Sequence, residues 1–240
     1  MPRQFAILVL FALILGCEKK QGTDVGEATG FAVHRPKEFC LVNLPKDCDG
    51  KTDLPVVVSL HDWVGRPALR LNADKLRVFE IAPTGPIVWD DVRFNWSDDF
   101  NLNFVRVNAA LDEACKKANV KKDRIVLFGT NGGGYVALRL AVEHPETFAG
   151  AVAICHGSMS DTSFPGKLSP LLAKRGFVLC FGGLDQPDFL QQGKEAIKPI
   201  QDVGGKVLIK VVPDRGGDID NWMHDLEPEW LEFVLQANKG

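Results

Sequence analysis

A chain of 240 residues, 45% apolar and 25% charged, has the make-up of a folded globular protein rather than a disordered or fibrous one. Its formal net charge of −3 and lack of a long basic tract exclude binding to nucleic acid by phosphate neutralisation. No CxxC, HExxH or Gly-Lys-Ser/Thr spacing occurs, so neither a structural zinc site nor a P-loop is expected, and no cofactor is.

The first sixteen residues differ from the rest. Arg3 supplies a positive start, and the run from Phe5 to Leu15 is apolar throughout. It is too short to span a bilayer but suits the apolar core of a signal peptide. The run ends Ile14-Leu15-Gly16-Cys17, and Glu18, Lys19 and Lys20 follow. This resembles the bacterial lipobox. The resemblance implies cleavage before Cys17, lipidation of that cysteine, and an exported protein anchored to a membrane of the cell envelope. Residues 17–30 are polar and glycine-containing and read as a flexible tether. Residues 31–240 are expected to form one domain. In an oxidising compartment, Cys40 and Cys48 are the nearest candidates for a disulfide.

Within the domain, strand and helix patterns alternate. Strands are expected at 39–43, 55–60, 77–82, 124–128, 149–155, 177–181 and 206–212. The continuous apolar runs among them suit strands buried on both faces. Helices are expected at 101–118, 135–143, 168–174, 195–203 and 228–236, the first starting near Asp98 or Asp99 and the second closed by His144-Pro145. Repeated βα units point to a mostly parallel central sheet with helices on both faces.

The motif with the most chemical content is Gly129-Thr130-Asn131-Gly132-Gly133. It lies between the strand-like run ending at Phe128 and the helical run from Tyr135. A strand, a sharp glycine-rich turn and a helix present a nucleophile in the pattern G-x-S-x-G. Here the serine position holds Asn131, whose amide lone pair is delocalised and cannot replace an activated hydroxyl. Asn131 has three readings: it keeps a turn that favours positive φ; it binds a ligand as donor and acceptor; or its bond to Gly132 deamidates to give Asp. A second motif, Gly132-x-Gly134-x-x-Ala137, matches a dinucleotide fingerprint. It lacks the acidic residue expected about 20 positions on, where Cys155 and His156 stand.

Three stretches carry a family resemblance. The run from Leu54 to His61-Asp62 resembles the strand ending in His-Gly of secreted esterases. The stretch from Asp123-Arg124 to Tyr135 resembles their D-x-R, strand, G-x-S-x-G-G segment. His144-Pro145-Glu146-Thr147-Phe148-Ala149 resembles their H-P-x-x-F-A. Together, over about residues 36–236, the chain resembles the α/β-hydrolase superfamily, on the side of polyhydroxyalkanoate depolymerase-like and feruloyl or acetyl xylan esterase-like proteins. The resemblance implies an α/β-hydrolase fold with its nucleophile position at Asn131 and its acid at Asp185. The histidine position, near 213–217, is empty of imidazole, and the nearest is His224. The oxyanion donors would be the backbone N–H of Gly132 and of Asp62 or Trp63, with His61 at the same edge, either lining the pocket or satisfying loop carbonyls.

Two functions fit this degenerate, serine-esterase-like site, so whether the chain is an enzyme stays open. One is a pseudoenzyme, lipid-anchored through Cys17, that binds an ester, carbohydrate or protein partner through the former pocket. The other is a weakly active carboxylic-ester hydrolase acting on polymer or carbohydrate esters.

Overall fold

The computed structural model describes residues 40–48, 53–116, 118, 120–154, 164, 167–216 and 228–239, all within one compact unit. Cys17, the tether, Cys155, His156 and His224 lie outside the described residues. The strands are β1 (Cys40–Asn43), β2 (Leu54–Leu60), β3 (Phe79–Pro83), β4 (Ile87–Val88), β5 (Phe94–Asn95), β6 (Val120–Thr130), β7 (Gly150–Ile154), β8 (Gly176–Gly182) and β9 (Lys206–Val212). The helices are α1 (Ala73–Leu76), α2 (Phe100–Cys115), α3 (Gly132–Glu143), α4 (Pro187–Asp202) and α5 (Pro228–Ala237), with a 3₁₀ turn at Pro170–Lys174.

Seven strands form one sheet in the order β1-β3-β2-β6-β7-β8-β9. All neighbours pair in parallel except β1, which runs antiparallel to β3. The mostly parallel sheet of the sequence reading is therefore present, with an antiparallel edge. Alternation along the strands divides the core into two layers. On β6, Ile125 and Leu127 face the layer filled by α2, α3 and α4. Val126 and Phe128 face the layer closed by α5 through Trp230, Leu231 and Val234. This is the α/β-hydrolase fold.

Elements depart from the sequence reading at several points. The third strand starts at Phe79 rather than Arg77, because Arg77 is the left-handed cap of α1, at φ 54°. Helix α4 starts at Pro187 rather than Glu195. Proline suits a first helical turn, but the turns that follow it are polar and contain Gly193, so they show no apolar period. A Cβ at Gly193 would run into the Phe181 ring. The β4–β5 hairpin is too short to leave a pattern in the sequence. Cys48 is a free thiol, so the candidate pairing with Cys40 is not formed.

Loop 66–72 is held by a carboxylate. Glu80 on β3 is fully buried and accepts from Ser59 Oγ at 2.7 Å, Arg70 N at 2.8 Å and Leu71 N at 3.2 Å. Burial pushes its carboxyl above the usual range, against those hydrogen bonds. Glu80→Ala removes the acceptor of two buried donors, Ser59 Oγ and Leu71 N, and of the half-buried Arg70 N, and should cost about 3 kcal/mol. Urea unfolding of the variant measures it; a loss under about 0.5 kcal/mol would remove Glu80 from that role.

Candidate functional site

The site stands at the carboxyl ends of β2 and β6, which pair in parallel through Leu60 and Gly129. Strand β6 ends at Thr130, whose side chain is buried, and α3 begins at Gly132. Between them Asn131 takes φ 51°, ψ −123°, a conformation rarely found for a residue with a side chain. Its N–H donates to Ile154 O at 2.8 Å, and its carbonyl accepts from Tyr135 N at 3.0 Å. The bend therefore hangs on the end of β7 and the first turn of α3. It closes only over glycine: a Cβ at Gly129 would strike the Gly133 backbone, and one at Gly133 would strike Leu60 O. Helix α3 starts at Gly132 rather than Tyr135 because this packing outweighs the poor helix propensity of three glycines.

Asp62 is the centre of the site. Its Oδ1 accepts from Trp63 N at 2.6 Å and from Gly132 N at 2.8 Å. Its Oδ2 accepts from the Asn131 side-chain amide at 2.8 Å. The two backbone donors that the sequence reading assigned to an oxyanion thus converge on one oxygen of the chain's own carboxylate. The sequence reading treated Asp62 only as a backbone donor, and its side chain is the functional group it missed. The signal was present: an acidic residue where the resembling proteins place glycine.

The turn that carries Asp62 is pinned on both sides. Val64 has φ 50°, an outlier for a β-branched residue. Gly65 pairs with Phe94 of β5 through two backbone hydrogen bonds of 3.0 and 2.8 Å. Trp63 lies against Gly132, so that a Cβ there would meet the indole. Its ring is 6.2 Å from that of Tyr135, and the residue is 40% exposed.

His61 is placed away from solvent, 2% exposed. Its Nε2 accepts from Gly85 N at 2.9 Å. The proton is therefore on Nδ1, which donates to Asp62 O at 2.7 Å. The ring stacks on Trp96 at 4.8 Å, and Trp96 Nε1 donates to His61 O at 2.8 Å. Burial lowers its pKa from 6.5 to about 4. Both ring nitrogens are taken by backbone groups of the loops at 62 and 85.

Asp185 follows β8 in the loop expected for a triad acid. Its Oδ2 accepts from Gly182 N at 2.7 Å, and its own N–H donates to Gly182 O at 3.2 Å. The carboxylate closes its own turn. The structure thus brings Asn131, Gly132, Asp62 and Trp63 together, sets His61 beneath them as a support, and puts Asp185 at the end of β8. Among the described residues, no three His, Cys, Asp or Glu side chains gather as a metal set.

The profile of the phospholipase/carboxylesterase family matches residues 89–231. A ferulic acid esterase structure superposes with a TM-score of 0.63 at 16% identity, covering 82% of this chain and 92% of that one. The carboxylesterase of Bacillus cereus gives 0.58 at 17% identity, covering 81% and 93%. NocK of Nocardia uniformis subsp. tsuyamanensis, described as an esterase, is 41% identical over 56 residues. That stretch is 23% of this chain and only 16% of NocK.

Proposed function

This chain belongs to the phospholipase/carboxylesterase family, and we propose that it is a member without ester-hydrolysing chemistry that binds a ligand or partner around its elbow. One observation carries the reading: Asp62 Oδ1 accepts the backbone N–H groups of both Trp63 and Gly132. Ester hydrolysis moves negative charge onto the carbonyl oxygen, and catalysis needs donors waiting for it. Here those donors already serve a full negative charge, and the apex beside them is an amide. The exposed Trp63 indole supports a sugar or aromatic group as the ligand. In the same reading, lipid on Cys17 holds the protein to a membrane of the cell envelope, and the tether gives the domain reach from it.

A second reading, weak hydrolysis of polymer or carbohydrate esters, is favoured by the esterase descriptions of the similar proteins. It requires a nucleophile other than residue 131.

A serine-reactive fluorophosphonate probe separates the two. The purified full-length chain should remain unlabelled and should not turn over a short p-nitrophenyl ester. Labelling at any serine would overturn the first reading. For the anchor, Cys17→Ala should move the protein from the membrane fraction to the soluble one. Equal partitioning of variant and wild type would remove the lipid from the proposal.

A further inference from the structure

We infer that this fold drives the conversion of its own Asn131 to an acid, with Asp62 as the base. Gly132 N closes onto the side-chain carbonyl carbon of Asn131, ammonia leaves, and water opens the resulting five-membered imide. The inference is independent of whether the site hydrolyses esters.

Three observations converge on it. The first is chemical. Residue 132 is glycine, so it has no side chain of its own to crowd the attacking nitrogen. The attack is intramolecular, and its rate depends on how often the ring geometry is reached.

The second is the backbone. At ψ −123°, the Cβ of residue 131 lies in the plane of the 131–132 peptide, on the side of Gly132 N. That is the backbone arrangement of the imide ring. A flexible chain must find this rotation at an entropic cost. Here the hydrogen bonds to Ile154 O and from Tyr135 N hold it in place, and φ of 51° adds strain that the ground state already bears.

The third is Asp62, whose two oxygens meet the two nitrogens that must change. Oδ1 is 2.8 Å from Gly132 N and Oδ2 is 2.8 Å from Asn131 Nδ2. Because both oxygens belong to one carboxylate, the attacking nitrogen and the leaving amide lie on the same side of residue 131. A peptide nitrogen is a poor nucleophile until its proton is removed, and a carboxylate oxygen sits on that proton.

The step balances without an oxidant or a metal. Asp62 takes the Gly132 proton as the N–Cγ bond forms, and the carbonyl electron pair moves to the side-chain oxygen of Asn131. That pair returns as the Cγ–Nδ2 bond breaks. The departing nitrogen takes the proton back from Asp62 and leaves as ammonia. Water then adds to one of the two imide carbonyls, leaving Asp, or isoAsp with the chain running through the side chain. One water is consumed and one ammonia is released. Gly132 N carries no proton in the imide, so Asp62 loses a donor while the ring persists. The product then sets a second carboxyl group beside Asp62 in place of a neutral donor.

The test compares the native full-length chain with the same chain unfolded in guanidinium, both at neutral pH in heavy-oxygen water. The peptide containing residue 131 is then quantified by mass spectrometry for oxygen incorporation. Native protein should convert faster than unfolded protein. Asp62→Asn and Asp62→Ala, shown to be folded by circular dichroism, should slow the native reaction on the order of a hundredfold. Conversion that is as fast or faster in the unfolded chain would overturn the inference, and so would a folded Asp62 variant reacting at the wild-type rate. If neither variant folds, the comparison of native with unfolded wild type decides alone.

Discussion

Asn131→Ser alone should leave the chain inert toward short p-nitrophenyl esters, whereas Asn131→Ser with Asp62→Gly should exceed it by at least about a hundredfold in rate. Restoring a hydroxyl at the apex restores only the attacking group. The tetrahedral intermediate still has to place its oxyanion where Asp62 Oδ1 accepts Trp63 N and Gly132 N. Two unit charges about 4 Å apart repel by about 4 kcal/mol at the effective dielectric near a protein surface. Each oxyanion donor already in use forfeits a further factor of about a hundred or more. Glycine at 62 removes the charge and returns both donors. Even a site lacking one member of a triad keeps some rate from its oxyanion hole and binding, so the ratio between the variants does not depend on His224 serving as the base. Steady-state hydrolysis by the wild type, Asn131→Ser, Asp62→Gly and the double variant measures it. Equal rates in the single and double serine variants would show that the carboxylate does not block the hole, and would also weaken the proposed function.

His61→Phe should change both the stability of the fold and its dependence on pH. Phenylalanine keeps the stack on Trp96 but leaves Gly85 N–H buried without its acceptor. The variant should therefore lose about 1–3 kcal/mol at neutral pH. Burial holds His61 neutral down to about 4 in the folded chain, against the ordinary 6.5 of an exposed imidazole. Between those values the unfolded chain takes up a proton that the folded chain refuses. Wild-type stability is therefore full above about 6.5 and falls as pH is lowered toward 4, by about 3 kcal/mol over the whole window. Below that the group costs nothing further, because both states are protonated. Subtracting the stability of His61→Phe from that of the wild type cancels the carboxylates that titrate in the same range. That difference should shrink steadily on acidification. A difference that stays constant from neutral pH to 4 would show that His61 is not held neutral by burial.

Much of the fold was legible because its signals are local. Apolar runs such as Leu54–Leu60 are strands buried over their whole length, and the glycines around residue 131 are packed at points where a Cβ has no room. The start of α4, the left-handed Arg77 and the β4–β5 hairpin were not legible. Each is set by a partner distant in sequence or by a turn too short to show a period. The position of Asp62 was hidden for the same reason. Its carboxylate meets residues 69 and 70 positions further along the chain, and only the parallel pairing of β2 with β6 brings them together.

That an amide stands at the apex of a strand-to-helix turn is written in the chain itself, since composition and spacing decide which functional groups exist. That the Asp62 carboxylate takes up both backbone donors, and that His61 faces inward against Gly85 N and Asp62 O, follows from the packing of distant segments. Hydrogen bonds and burial depend on which distant segments lie side by side, and that is a property of the packed sheet rather than of any stretch of chain.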